Sequence, residues 1–379
     1  TQHSNGFVYI AGGSGGIVLG DDATSSRIQI FDNDEIRFEV NGTERAVIDA
    51  NSRISLSNTD AGGTAGKDST TGNTLFGYGA GGTIDANTIN NTFIGHGSGA
   101  GSKSDAQYNT AVGTYSLNSL TSGDSNVAIG TLALEDLTAG TLNVAIGASA
   151  MAQASTAADK NVAIGANAMD GNWTSANVDG VVAIGYNSLG GVLTTDATAT
   201  VAIGMESLKA LTSGIGNVAI GYQALLVEDD GDFNTAIGYQ TLKAQTGISG
   251  TVGNTAVGYH AATNITTGYG NTVMGYLAFS TADGAENQSV VIGREAGKDI
   301  NSNSTTENVI IGSNAGKGGT GNMINAVIIG SNAANSTAAN SHTGIVAIGF
   351  DALTRLTSGT KNTAVGYRSQ DYNRTGVNN

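Results

Sequence analysis

One short phrase, roughly Asn-(Thr/Val)-Ala-Ile-Gly-Tyr-x-Ala-Leu, recurs seventeen times between Asn73 and Gln370. Its anchor glycines are Gly77, Gly95, Gly113, Gly130, Gly147, Gly165, Gly185, Gly204, Gly221, Gly238, Gly258, Gly275, Gly293, Gly312, Gly330, Gly349 and Gly366, always 17 to 20 residues apart. A unit that short encloses no core of its own, so the copies must stack on one another. The expected fold is all-β: a parallel β-solenoid or β-roll of about 17 short coils. Such an architecture suits a fibre or an extended surface better than an enzyme built around a pocket.

Counting from the anchor glycine as position zero, position −1 is bulky and apolar and position −3 is Thr or Val in all seventeen copies. Both preferences favour strand. Position −2 is Ala in eleven copies and Leu, Phe, Val or Ile in the others. Since residues two apart share a strand face, both faces are apolar, which predicts cover on both sides. Position −4 is Asn in twelve copies, among them Asn126, Asn143, Asn161, Asn217 and Asn234. Stacked at about 4.8 Å, these amides can hydrogen-bond in a ladder. Anchor glycines such as Gly130, Gly147, Gly165, Gly221 and Gly238 mark a corner where a Cβ would clash.

Position +3 is always Ala, Ser or Thr. That restriction implies a tight interior or the close approach of another chain. Leucine pairs three apart, Leu117/Leu120, Leu134/Leu137, Leu208/Leu211 and Leu353/Leu356, fit either a single helical turn or a short extended connection. Stretches of variable length, such as Val227–Phe233 and Gln245–Gly253, belong to the tolerant outer arc of the coil. Seventeen coils would make a rod of roughly 80 Å. Its core would be thin, so rods are expected to associate, most simply as a parallel trimer.

Residues 1–60 lack the phrase and read as a small N-terminal β segment, a cap or the end of a preceding fibre domain. Short strands are expected at Phe7–Ile10, Gly16–Leu19, Arg27–Phe31, Ile36–Val40, Arg45–Ile48 and Arg53–Leu56, with a hairpin at Asn41-Gly42. Residues 61–72 form a Gly/Ser/Thr-rich junction, and 73–379 the solenoid.

The formal charge of −15 argues against nucleic acid and anionic membrane surfaces as partners. No cysteine is available for disulfides or thiolate metal sites, and no run of apolar residues is long enough to span a membrane. The missing initial methionine predicts a processed chain or an excerpt. No cofactor or metal is expected, because the phrase holds no acidic position; the one opening left to an ion is an Asp-rich loop such as Asp229–Asp232. The carboxylates Glu228, Asp229 and Asp230 read as a solvated turn. His3, His96, His260 and His342 occupy unrelated positions and are expected to face solvent. Neither a catalytic constellation nor a phosphate-binding loop emerges, so the chain reads as a non-enzyme.

The most suggestive binding feature is a set of tyrosines at position +1, including Tyr186, Tyr222, Tyr239, Tyr259 and Tyr276. Stacked along a solenoid they form either a ladder for a sugar or partner, or the outer edge that stabilises each coil. Trp173, the sole tryptophan, could anchor a ligand from a loop.

Two resemblances follow from these residues. Asn126-Val127-Ala128-Ile129-Gly130 and its copies resemble the repeat in head domains of trimeric autotransporter adhesins, whose period is shorter. Ile36-Arg37-Phe38-Glu39-Val40-Asn41-Gly42-Thr43-Glu44-Arg45-Ala46-Val47-Ile48-Asp49, followed by Asn-Thr-Ala-Ile-Gly-Tyr arrays such as Asn234–Leu242, resembles tail fibres of tailed bacteriophages. The second resemblance implies an extracellular homotrimeric virion fibre that contacts a host-surface glycan or protein; an end at Asn379 would suit a cleaved product. The first implies a bacterial surface head with a similar adhesive role. An ice-binding solenoid or a polysaccharide-degrading spike fits less well, since the phrase has one mixed Thr/Val row and no repeated acidic pair.

Overall fold

In the computed structural model the described residues are 72–378, apart from 86, 155–157, 174–177, 195–196, 247–249, 302–304, 320 and 338–339, together with five strands between residues 17 and 56. The strand expected at Phe7–Ile10 and the junction up to residue 71 lie outside them. The chain divides into two compact units, Thr1–Leu142 and Asn143–Asn379. Strands and turns make up the described residues of both, with no helix.

The first unit opens with an antiparallel meander of β1 (Ile17–Gly20), β2 (Arg27–Phe31), β3 (Glu35–Val40), β4 (Thr43–Ile48) and β5 (Ile54–Leu56), in that spatial order. Val40 lies opposite Thr43, so the β3–β4 link is two residues long, and the register shifts between Phe38 and Glu39. Four parallel strands follow, Thr74–Phe76, Thr92–Ile94, Thr110–Val112 and Val127–Ile129, each paired in register with the next. The second unit repeats this arrangement thirteen times, from Val144–Ile146 to Thr363–Val365. Val pairs with Val, Ala with Ala and Ile with Ile, as in Val162–Ile164 against Val182–Ile184. Each coil contributes one three-residue strand to a parallel β-solenoid.

Burial assigns the positions of the phrase. Position −2 points inward and is almost wholly inaccessible, as at Ala111, Ala163, Ala219 and Ile328. Positions −3 and −1 face outward and are half-buried or exposed. The expectation of cover on both strand faces is therefore met on one face only within each unit. Position +3 also lies inside its own coil: Ser116, Ala150, Ala224 and Thr241 are fully buried. Its restriction to small residues comes from a turn within the coil, not from a neighbouring chain. The +3 amide donates back to the anchor carbonyl, as in Ala224 N to Gly221 O at 3.3 Å, and this folds the chain sharply behind the strand.

That turn needs left-handed backbone at its third residue, and position +2 supplies it in both units, for example Gln223 at φ 53°. Position +4 does the same: Leu117, Leu134, Leu208 and Leu353 sit at φ 48° to 52° with their side chains in the core. The leucine pairs thus close a second turn, with Leu120 N donating to Leu117 O at 3.3 Å, and not a helical one. A non-glycine residue held there costs about 1–3 kcal/mol and persists only where its surroundings over-determine it. The stack does so, since each such residue bonds to the coil beside it, as in Leu117 N to Ala133 O at 3.0 Å. The anchor glycines have φ between 125° and 143°, and a Cβ on Gly221 would overlap the carbonyl oxygen of Gly238.

The position −4 amides run along the core as a rail. In the first unit Asn91, Asn109 and Asn126 each direct both backbone N–H and Nδ2 to Oδ1 of the preceding asparagine, at 2.8–3.0 Å. Nδ2 also reaches across the coil to a carbonyl, Gly123 O for Asn109 and Gly140 O for Asn126. The second unit repeats the motif, with Asn161 N on Asn143 Oδ1 and Asn234 N on Asn217 Oδ1. Valine, threonine, serine, alanine and isoleucine interrupt the rail at Val181, Thr200, Ser289, Ala326 and Ile345.

Candidate functional site

Position +1 follows the anchor glycine and cannot turn inward, because the next two residues carry the chain into the turn. Its side chain therefore projects from the coil. Four successive coils of the second unit place tyrosine there, and the rings stack: Tyr222 on Tyr239 at 5.0 Å, Tyr239 on Tyr259 at 5.4 Å, and Tyr259 on Tyr276 at 5.2 Å between centroids. Interplanar angles of 26°, 17° and 11° make this a nearly parallel ladder. Tyr239, Tyr259 and Tyr276 keep 43–49 % of their surface exposed. Tyr186 is exposed as well, but Met205 occupies the coil between it and Tyr222, so it stands apart from the stack.

Position +2 lines one flank of this ladder with polar groups. Gln240 Nε2 donates to Gln223 Oε1 at 2.7 Å, and Gln223 Nε2 donates to Glu206 Oε2 at 2.8 Å. Lys209 bonds the other Glu206 oxygen at 2.7 Å, and with Gln223 it holds the Glu206 carboxyl below its ordinary range. In the next coil His260 takes over the flank, edge-on to Tyr259 at 4.3 Å with Nδ1 3.2 Å from Thr263 Oγ1. Burial, and then the nearby Lys243 charge, lower the His260 pKa. With the ring faces turned toward one another, the ladder presents ring edges and phenol hydroxyls beside the planar amides of Gln223 and Gln240, groups that exchange hydrogen bonds with sugar hydroxyls.

Several other expected surface residues are inside. Trp173 is fully buried, one of the largest core side chains, so it fills its coil and cannot anchor an external ligand. His342 is also buried, with Nε2 2.8 Å from Thr337 O and Nδ1 3.3 Å from Gly359 O, whereas His96 is exposed beside the rings of Tyr78 and Tyr115. His3 lies outside the described residues.

The reading of Glu228, Asp229 and Asp230 as a solvated turn fails for Glu228, which is fully buried. It stands seven residues after its anchor, where other coils put Leu120, Leu137, Leu211 and Leu356. Desolvation raises its pKa, opposed by hydrogen bonds from the Gly231, Asp230 and Asp229 amides. Desolvation, with the Asp229 charge next, also raises that of Asp230. A signal for Glu228 existed in the leucines that share its offset, but the acidic run Glu228–Asp230 reads as a solvated turn.

Comparison with protein-family models, with curated proteins and with solved structures returns no match.

Proposed function

We propose that the chain is a non-enzymatic fibre subunit that self-associates as a homotrimer and presents its tyrosine ladder to a cell-surface glycan. One observation carries this reading: with the coil interior already filled, the outward strand face keeps Thr/Val and Ile rows uncovered. Phe76 and Val365 are 63 % exposed, and Ile129, Ile237 and Met274 are 37–45 % exposed. A contiguous apolar row on a weakly charged surface favours association, and parallel copies about a shared axis cover identical rows simultaneously. The resemblance of Ile36–Asp49 and the Asn-Thr-Ala-Ile-Gly arrays to phage tail fibres supplies the setting, an extracellular virion fibre. A bacterial adhesin head would use the same rows in the same way.

Native mass measurement tests the association. The chain mass is 37.8 kDa, so a trimer reads 3 × 37.8 = 113.4 kDa; a 37.8 kDa species at micromolar concentration would sink the trimer. Glycan binding is tested separately by screening host polysaccharides against the intact protein and Tyr239→Ala/Tyr259→Ala. Loss of binding with the native mass retained is the expected result. A ligand that ignores the double substitution removes the ladder from the reading.

A further inference from the structure

The buried carboxylate in the Gly221 coil is left without an explanation by a fibre role. Glu228 is 0 % exposed, and only one of its oxygens has a protein partner, Oε1, which accepts the Gly231 N–H at 2.8 Å. Oε2 is inaccessible and unpartnered, and so is Oδ1 of Asp230. A desolvated carboxylate held only by backbone amides, with like charges beside it, is among the less favourable groups a core can hold. The charged groups acting on Glu228 and Asp230 compound the difficulty, because they are the acidic Asp229 and Asp232.

One carboxylate oxygen each from Glu228, Asp229 and Asp230 lies within 4.8 Å of the others. We propose that these three residues form a binding site for a divalent cation of the calcium class. The donors are all oxygens and mostly anionic, the set that hard cations select over softer transition metals. A site built on one short turn and completed by water suits calcium, whose shell is flexible, better than magnesium, which demands a near-ideal octahedron. Asp229 and Asp230 are partly open to solvent, which gives the ion an entry path and leaves room for water to complete the shell. The ion would neutralise a buried charge that nothing else on the coil meets. It would also fix the turn immediately before Gly231–Asp232, the short strand that pairs with Gly250–Thr251 in the following coil.

The following coil also provides the control. Its residue at the same position is Gln245, fully buried, so a glutamine side chain fits this interior and Glu228→Gln is expected to fold. The intact protein, stripped with chelator, is titrated with Ca²⁺ by equilibrium dialysis, with Mg²⁺ as competitor and circular dichroism to confirm the fold. Expected is one Ca²⁺ per chain with a dissociation constant on the order of 0.1–1 mM, the range of extracellular calcium modules. Glu228→Gln and Asp230→Asn should each weaken it at least tenfold, while Asp136→Asn, the same charge loss at an exposed position, should leave it unchanged. Absence of stoichiometric binding at about 10 mM, ten times the weakest constant expected, overturns the proposal. Equal binding by wild type and Glu228→Gln overturns it too, by reducing the effect to diffuse attraction from the acidic surface.

Discussion

Replacing Asn109 by alanine isolates the contribution of the amide rail. Its Oδ1 accepts both the Asn126 backbone N–H at 2.9 Å and Asn126 Nδ2 at 3.0 Å, and its own Nδ2 donates to Asn91 Oδ1, Gln107 O and Gly123 O. Truncation leaves some of these groups satisfied: Gln107 O still receives the Ser125 N–H, and Asn126 Nδ2 still reaches Gly140 O. Two buried backbone groups lose this partner, the Asn126 N–H and the Gly123 carbonyl. At about 1–3 kcal/mol for each buried group that loses this bond, the coil should lose about 2–6 kcal/mol. In a stack coupled only to nearest neighbours the loss stays local, and whole-chain melting is a poor monitor because long repeat arrays depart from two-state behaviour. Amide exchange at Asn126 is the better assay. It should accelerate by roughly thirtyfold to twenty-thousandfold, with exchange in coils several repeats away unchanged. Asn118→Ala, a half-exposed position in the same coil, should change protection by less than threefold, about 0.5 kcal/mol. Equal, small effects at Asn109 and Asn118 would refute the rail as a stabilising element.

Two other predictions concern the backbone and pH. Gly221→Ala forces a Cβ onto a residue at φ 135° and against the Gly238 carbonyl oxygen; it should destabilise its coil by at least about 2 kcal/mol, read as lost amide protection at Gly238, and normal protection there would contradict the close approach. Lys103 is buried, with Nζ on the carbonyls of Gly99 and Gly101, and burial pulls its pKa from 10.5 down to about 8. The unfolded chain therefore holds this proton to higher pH than the folded one, so stability should rise by up to about 3 kcal/mol from pH 8 to 10.5 and be lost again on acidification. Lys103→Met should flatten that rise in chemical denaturation, and an unchanged slope would count against it.

Strands, register and the asparagine rail were legible in the sequence because they rest on periodic positions. A Thr/Val residue followed by two apolar residues before every anchor glycine leaves one reading, and like residues stacked in register make the pairing self-evident. What hid the rest was ambiguity about direction. Small residues at Ser116 and Ala224 fit a crowded interior as well as a contact between chains, and only the turn back to the anchor carbonyl decides. Leu117 and Leu120 had the spacing of a helical turn, whereas positive φ at leucine is invisible to a pattern of residue types. The outer arc gave least, because the gap that Leu120, Leu137, Leu211 and Leu356 fill in four coils takes Ala154, Glu228, Gln245 or Thr337 in others. With repetition so incomplete there, the burial of Trp173, His342 and Glu228 left little trace to read. The tyrosine ladder, by contrast, was visible as a row, and the structure adds the flanking amides of Gln223 and Gln240.

The breaks in the amide rail carry a mechanical consequence. In the second unit the bonds joining one coil to the next run along the stacking direction, so a pull in that direction loads coils in series and the weakest junction yields first. Asn161 hands its oxygen to the Val181 amide, but Val181 has nothing to pass on, and the Thr200 hydroxyl makes only long contacts of 3.3 and 3.4 Å to Thr198 O and Gly214 O. Ala326 receives Asn308 Oδ1 in the same manner, and neither it nor Ile345 can extend the link. Under tension these two pairs of coils act as fuses: extension should begin at Val181–Thr200 or Ala326–Ile345 and spare the asparagine-linked coils between them.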